Sequence, residues 1–230
     1  MQNLRRHFRT APSNSPARLR AFTLLELLTV MAIISVLLVA VRPAVSSLSM
    51  SGSFTNSMNQ VAQAFDLARQ RAISKNTYVW VAFHEGVDNK VPYLDVCVVE
   101  SKTGTDTLAW NGSATLPSDP NFTLVQRTAR IPQLDLVPAG QVTEAQIPSL
   151  PSLNESPSDM AKTVSFRFDA AKSAWSGADF DHVVEFTPSG EARISKGLVG
   201  YIEVGLKHWP KSTPAVIRLS GITGLSTVYH

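Results

Sequence analysis

Three hydropathy patterns follow one another along the chain. Residues 22–41 are apolar except at Thr23, Glu26, Thr29 and Ser35. At about 1.5 Å per helical residue this run spans roughly 30 Å, the hydrocarbon thickness of a bilayer. Arg42 and Pro43 close it. Apolar residues then recur at Phe54, Met58, Val61, Phe65, Ala68 and Ala72, alternately four and three positions apart, which is one face of a helix. Asn56, Asn59, Gln60, Gln63, Asp66, Arg69, Gln70 and Arg71 make the polar face. Lys75 and Asn76 suit a helix end, with a cation in the last turn and a residue that tolerates left-handed backbone. Pro43 and the small, serine-rich residues 46–53 predict a soft joint; two separate helices with a linker are the alternative.

From residue 77 the period falls to two. Residues 78–83 and 93–99 read as strands joined in hairpin fashion through Gly86 to Lys90. Further strands are expected at 122–127, 164–168, 183–187, 199–206 and 216–220, with a turn at Pro188-Ser189-Gly190. A helix first and strands afterwards argue an α+β fold, in which the long N-terminal helix packs its second half on a C-terminal antiparallel sheet. Seven of the 14 prolines fall between Pro117 and Pro157. Around 117–160 the chain is therefore expected to make an irregular excursion, of the kind that either carries partner contacts or has no role.

The 230-residue chain is 44% apolar and 17% charged, which excludes wholesale disorder. Its net charge of +3 is unevenly placed. Arg5, Arg6, Arg9, Arg18 and Arg20 precede the apolar run with no acid among them. Setting these aside leaves 16 of the 21 basic residues against 18 acidic ones, a net −2. The folded part thus lacks the basic excess that nucleic-acid binding favours. One cysteine, Cys97, rules out an internal disulfide or a multi-cysteine zinc site.

Arginines ahead of the apolar run hold the N-terminus in the cytoplasm and place the body on the far side. A secretory signal has this outline, but Arg42 and Pro43 bracket the small residues Ala40 and Ala44 where a cleavage site would fall. A plain single-span anchor also fits. Neither explains Glu26, since a charge at the centre of a span costs about 2.5–3.5 kcal/mol and less near an end. The carboxylate asks for a partner.

The run Arg20-Ala21-Phe22-Thr23-Leu24-Leu25-Glu26-Leu27-Leu28 resembles the N-terminal motif of type IV prepilins and type II secretion pseudopilins. The resemblance implies a leader at 1–21, cut by a prepilin peptidase between Ala21 and Phe22, and methylation of the new Phe22 amine. It also implies a membrane and assembly helix at 22–43, kinked at Pro43, with an amphipathic continuation at 44–76 and a pilin-like body at 77–230. Glu26 would be the family's assembly glutamate, pairing with the Phe22 amine of a neighbouring subunit. Ala21 departs from the glycine usual before the cut. Ala68-Arg69, Ala72 and Asn76, leading into 78–83, are similar to the GspH/FimT branch, as is Phe186-Thr187-Pro188-Ser189-Gly190. The Verru/Chthon cassette proteins have a similar layout.

Catalytic motifs are missing: there is no G-x-S-x-G, H-E-x-x-H, P-loop or G-x-G-x-x-G. His84-Glu85 and Asp181-His182 are adjacent pairs, which an extended strand points to opposite faces. Cys97 alternates with apolar neighbours as a core residue does. The chain is therefore expected to be no enzyme and to use no metal or cofactor. The leading expectation is a minor pseudopilin of a type II secretion pseudopilus or type IV pilus, in the bacterial inner membrane with its body periplasmic. Its partners would be the prepilin peptidase, other pilins, membrane lipid and secretion cargo. A FimT-like pilin that captures DNA is the alternative from another class, disfavoured by the net −2.

Overall fold

The computed structural model describes residues 23–230 apart from 107–112, 139–140, 143–145, 153–159, 161–164, 170–176, 196 and 211–213. Of 39–51, 113 and 127 only the backbone is described. One helix, α1 (Leu24–Lys75), precedes all the strands and has helical backbone through the serine-rich stretch. The chain divides into two units, Met1–Ser49 and Met50–His230, and the division falls inside that stretch.

In the second unit α1 buries Met58, Val61, Phe65, Ala68 and Ala72, and leaves Asn56, Asn59 and Gln60 exposed. Its end is a Schellman cap. Asn76 takes φ 51°, Thr77 N–H donates to the Ala72 carbonyl (3.1 Å) and Asn76 N–H to that of Ile73 (3.3 Å). The chain is thereby reversed into β1 (Val79–Asp88), which pairs antiparallel with β2 (Val91–Ser101). Asn89 and Lys90, at φ 48° and 68°, make the two-residue turn between them. Gly86 is a strand residue opposite Tyr93 and not part of the turn, contrary to expectation.

The other strands are β3 (Ser113–Leu116), β4 (Phe122–Pro132), β5 (Leu134–Val137), β6 (Ser165–Phe168), β7 (Asp179–Phe180), β8 (His182–Phe186), β9 (Ala192–Arg193), β10 (Tyr201–His208), β11 (Pro214–Ser220) and β12 (Ser226–Tyr229). They form three sheets among the described residues, in orders β4-β2-β1-β8-β9, β12-β11-β10-β5 and β3-β6-β7. The expectation of an antiparallel body holds except at β3 and β6, which pair in parallel.

The five-stranded sheet is covered on both faces. Val79, Val81, Phe83, Leu94, Val96, Val98, Val184 and Phe186 share a core with α1 and with Ile202, Val204, Leu206, Ile217 and Leu219 of the four-stranded sheet. The alternate residues Trp80, Ala82, Cys97, Val99 and Val183 face Leu116, Phe166, Phe168 and Phe180 of the three-stranded sheet. Fully burying a side chain such as Phe65 or Phe83 contributes roughly 1.5–3 kcal/mol.

Within the stretch 117–160, β4 lies where a strand is expected at 122–127 and runs on to Pro132, whereas β5 is not among the expected strands. Val142, Ile147 and Leu150 are buried against Val216 on the outer face of the four-stranded sheet. Arg218 anchors this cover by donating to the Pro151 carbonyl (2.9 Å). Its apolar residues are spaced to fit a surface already formed, so they show no period of their own.

Candidate functional site

The first turn of α1 holds the residue that the sequence singles out. Thr23 precedes the helix, its carbonyl accepting the Leu27 N–H (3.1 Å) and its Oγ1 accepting the Glu26 N–H (3.2 Å). This is N-capping, and the T-x-x-E spacing from Thr23 to Glu26 is the sequence form of a capping box. Glu26 therefore sits in the first turn, where the helix dipole favours a carboxylate.

Around Glu26 the helix is apolar and open. Every residue from 23 to 38 is exposed, including Leu24, Leu25, Leu27, Leu28, Met31, Ile33 and Val36. The two hydroxyls beyond Glu26 turn back onto the helix: Thr29 Oγ1 donates to the Glu26 carbonyl (2.9 Å) and Ser35 Oγ to that of Met31 (2.8 Å). Such back-bonded hydroxyls tolerate an apolar surround. Among the described residues the Glu26 carboxylate makes no ion pair. The segment is a run of exposed apolar side chains with one ionisable group near its start, a surface that water does not favour.

Ala21 and Phe22, the expected cleavage and methylation residues, lie outside the described residues. Pro43 is within α1, and its side chain lies outside them. Among the described residues no stretch of helix is both long and apolar enough to cross a membrane. The apolar stretch whose side chains are described runs over 24–38, and the expected span 22–41 extends past it at both ends.

The body's titratable groups are mostly paired with one another. His84 Nδ1 bonds the Asp179 carbonyl (2.9 Å), whereas the neighbouring Glu85 accepts the Leu136 N–H (3.2 Å), so these two side chains diverge as strand geometry requires. Asp181 and His182 do meet, with Nδ1 2.9 Å from Oδ1, against expectation. Asp181 stands between β7 and β8, where strand alternation is broken. Asp95 and Glu203, both buried, receive Arg130 and Arg218, and Arg71 grips Glu100 (2.6 and 3.2 Å). Arg167 grips Asp179, whose carboxyl is held below its usual range chiefly by those hydrogen bonds. Cys97 is buried, and desolvation pushes its thiol up. Among the described residues no group of three or more His, Cys, Asp or Glu comes together to hold a metal.

A capped apolar helical stretch thus precedes an amphipathic one that packs on antiparallel sheets. Residues 17–41 match the family described as the prokaryotic N-terminal methylation motif. The match covers the segment around Glu26 and is to a methylation motif alone. The match ends before the second unit begins at Met50. Compared with curated proteins and with solved structures, the chain matches none.

Proposed function

We propose that the chain is a minor, GspH/FimT-type pilin-like subunit of a type II secretion pseudopilus or type IV pilus. Residues 22–41 hold it in the bacterial inner membrane, with the N-terminus cytoplasmic and the body on the far side. The peptidase cuts between Ala21 and Phe22, the Phe22 amine is methylated, and the apolar helices of successive subunits bundle. The chain is a structural subunit and a substrate of its processing enzyme, with no catalysis of its own.

The observation that carries this reading is the exposed apolar helix with Glu26 in its first turn. Membrane lipid covers such a surface before assembly, and neighbouring helices cover it afterwards. A free amine at Phe22 would then offset the cost of burying Glu26 and set the stagger between subunits. DNA capture is disfavoured by the arginines. In the body, Arg71, Arg130, Arg167, Arg193 and Arg218 are each engaged with a carboxylate, and Arg69 donates to the Thr223 carbonyl. These cations are not free to meet phosphates.

Intact mass and N-terminal sequencing of the membrane-extracted protein from its own cells test the proposal. A chain beginning at Phe22 with one added methyl group is expected. An uncut chain would point to a simple anchor, and a cut near Ala40 or Ala44 to a secreted domain; either would withdraw the role given to Glu26.

A further inference from the structure

One edge of the five-stranded sheet is long and unpaired. β4 ends the sheet there with 11 residues, against two to four in β3, β5, β7, β9 and β12, the other strands that end a sheet. Among the described residues no further backbone bond reaches 122–131 from outside the pairing with β2. Alternate residues of such a strand turn N–H and C=O away from the sheet, where another extended backbone is their natural complement.

Beside this edge lies a groove of about 290 Å³. One wall is a row of α1, Gln60, Gln63 and Leu67, spaced to share a helix face and all exposed. The strand side is Gln126, Ala129 and Ile131 of β4. A strand added along β4 would turn every second side chain into this groove, against Leu67 and Ala129 and beside the three carboxamides. Its other side chains would lie on the opposite face. Ile131 belongs to the core shared with α1, so Arg130, next to it in the strand, is on that opposite face. Arg130 keeps 45% of its side chain in solvent. Asp95 takes its Nε and Nη2, which leaves Nη1 without a partner among the described residues.

Charge and register say what kind of strand fits. β4 carries Arg127 and Arg130 and no acid, so a second β4 laid against the first would set like charges together. Two register slips between Val96 and Val99 also stop a flat strand from pairing along the whole edge. The regular stretch is short, 129–132 paired with 93–96. We infer that this edge is a peptide-binding site, which takes a short extended segment of another protein as an added strand. The segment alternates apolar side chains, directed into the groove, with acidic ones on the face of Arg130. Backbone pairing supplies the affinity, and the groove and the arginine select the sequence. The site belongs to the body alone and does not rest on the membrane-anchored reading.

The test adds a short synthetic peptide, alternating valine with glutamate, to the full chain in detergent. Binding is followed by fluorescence anisotropy, and hydrogen exchange should slow across 122–132 and not along the other sheet edges. Methylating the peptide nitrogens that would face β4 should weaken binding about tenfold or more. Lysine in place of glutamate should weaken it several-fold. So should Gln63→Trp, which fills the groove from an exposed helix position. Equal binding of the methylated and unmethylated peptides overturns strand addition. Protection confined to another edge such as β12 does so too, as does no binding at millimolar peptide. Exchange at 122–131 that is already slow in the free chain would show the edge to be covered, by a second copy if dilution speeds it and by the same chain if not; both overturn the inference. None of these outcomes bears on whether the chain is cut before Phe22, so the two proposals fail separately.

Discussion

Single side chains in this body are constrained by what sits behind them. A Cβ at Gly86 would come within 2.1 Å of the Tyr93 ring, which fills the space that a side chain there would need. Arg130 lies 3.8 Å over the same ring and reaches Asp95 with two hydrogen bonds of 2.9 and 3.0 Å. The pair is lopsided, since Asp95 is wholly buried while Arg130 keeps 45% of its side chain in solvent. Arg130→Ala strands a buried carboxylate and should cost about 3–5 kcal/mol. Asp95→Asn releases a guanidinium that water can solvate, and should cost only about 1.5–3 kcal/mol. Urea unfolding of the detergent-solubilised chain checks the ranking, and the reverse order would refute it. The Arg167–Asp179 pair is open to solvent, and its signature is pH dependence. A carboxyl depressed by folding stabilises above its unfolded pKa and loses that contribution as pH falls through the folded value. Arg167→Gln should therefore lower the urea midpoint slightly at neutral pH, with the gap narrowing as pH falls below the ordinary aspartate pKa of about 3.9. A gap unchanged in acid would mean that the ion pair is not its source.

Elements in this chain are as legible as their periods are long. α1 and strands β1, β2, β4, β8, β10 and β11 are each announced by a run of apolar positions at the right spacing. Asn76 even marks the helix end. Because asparagine at φ 51° accepts left-handed backbone more readily than other side chains, Asn76→Ala should cost about 1 kcal/mol, while Asn76→Gly should cost nothing. Thermal unfolding of the two variants decides this, and equal losses would show that the cap is not what the residue supplies. What escaped the sequence was short or borrowed its order from elsewhere. β3 has four residues and pairs with β6, some fifty positions later, so no local pattern could announce it. Ile147 is buried only because Val216 and its neighbours already form a surface. The meeting of Asp181 with His182 depends on a break between strands that residue identity does not encode. At the candidate site the position of Glu26 was readable from motif and hydropathy, whereas the openness of the helix on every side needed the structure.

For the molecule as a whole, one residue is asked to reconcile two opposed demands. In the reading proposed above, the apolar helix must enter a bilayer, which Glu26 resists, and subunits must find a common register, which a run of aliphatic side chains does not define. Glu26→Leu separates these demands. Removing a charge near the end of the span eases insertion by somewhat less than about 2.5 kcal/mol, so membrane association should be kept or improved. The motif from Arg20 to Thr23 is untouched, so cleavage before Phe22 should continue. Bundling should fail, because the amine of the neighbouring chain loses the carboxylate that fixes its depth. Three measurements on the same cells separate the possibilities: N-terminal sequence for processing, flotation for membrane association, and in-membrane crosslinking for assembly. The expected result is normal processing, normal flotation and a crosslinked ladder shortened to the monomer. A full ladder from Glu26→Leu would remove the register role, and the carboxylate would then be left with only its favourable place at the positive end of the helix dipole.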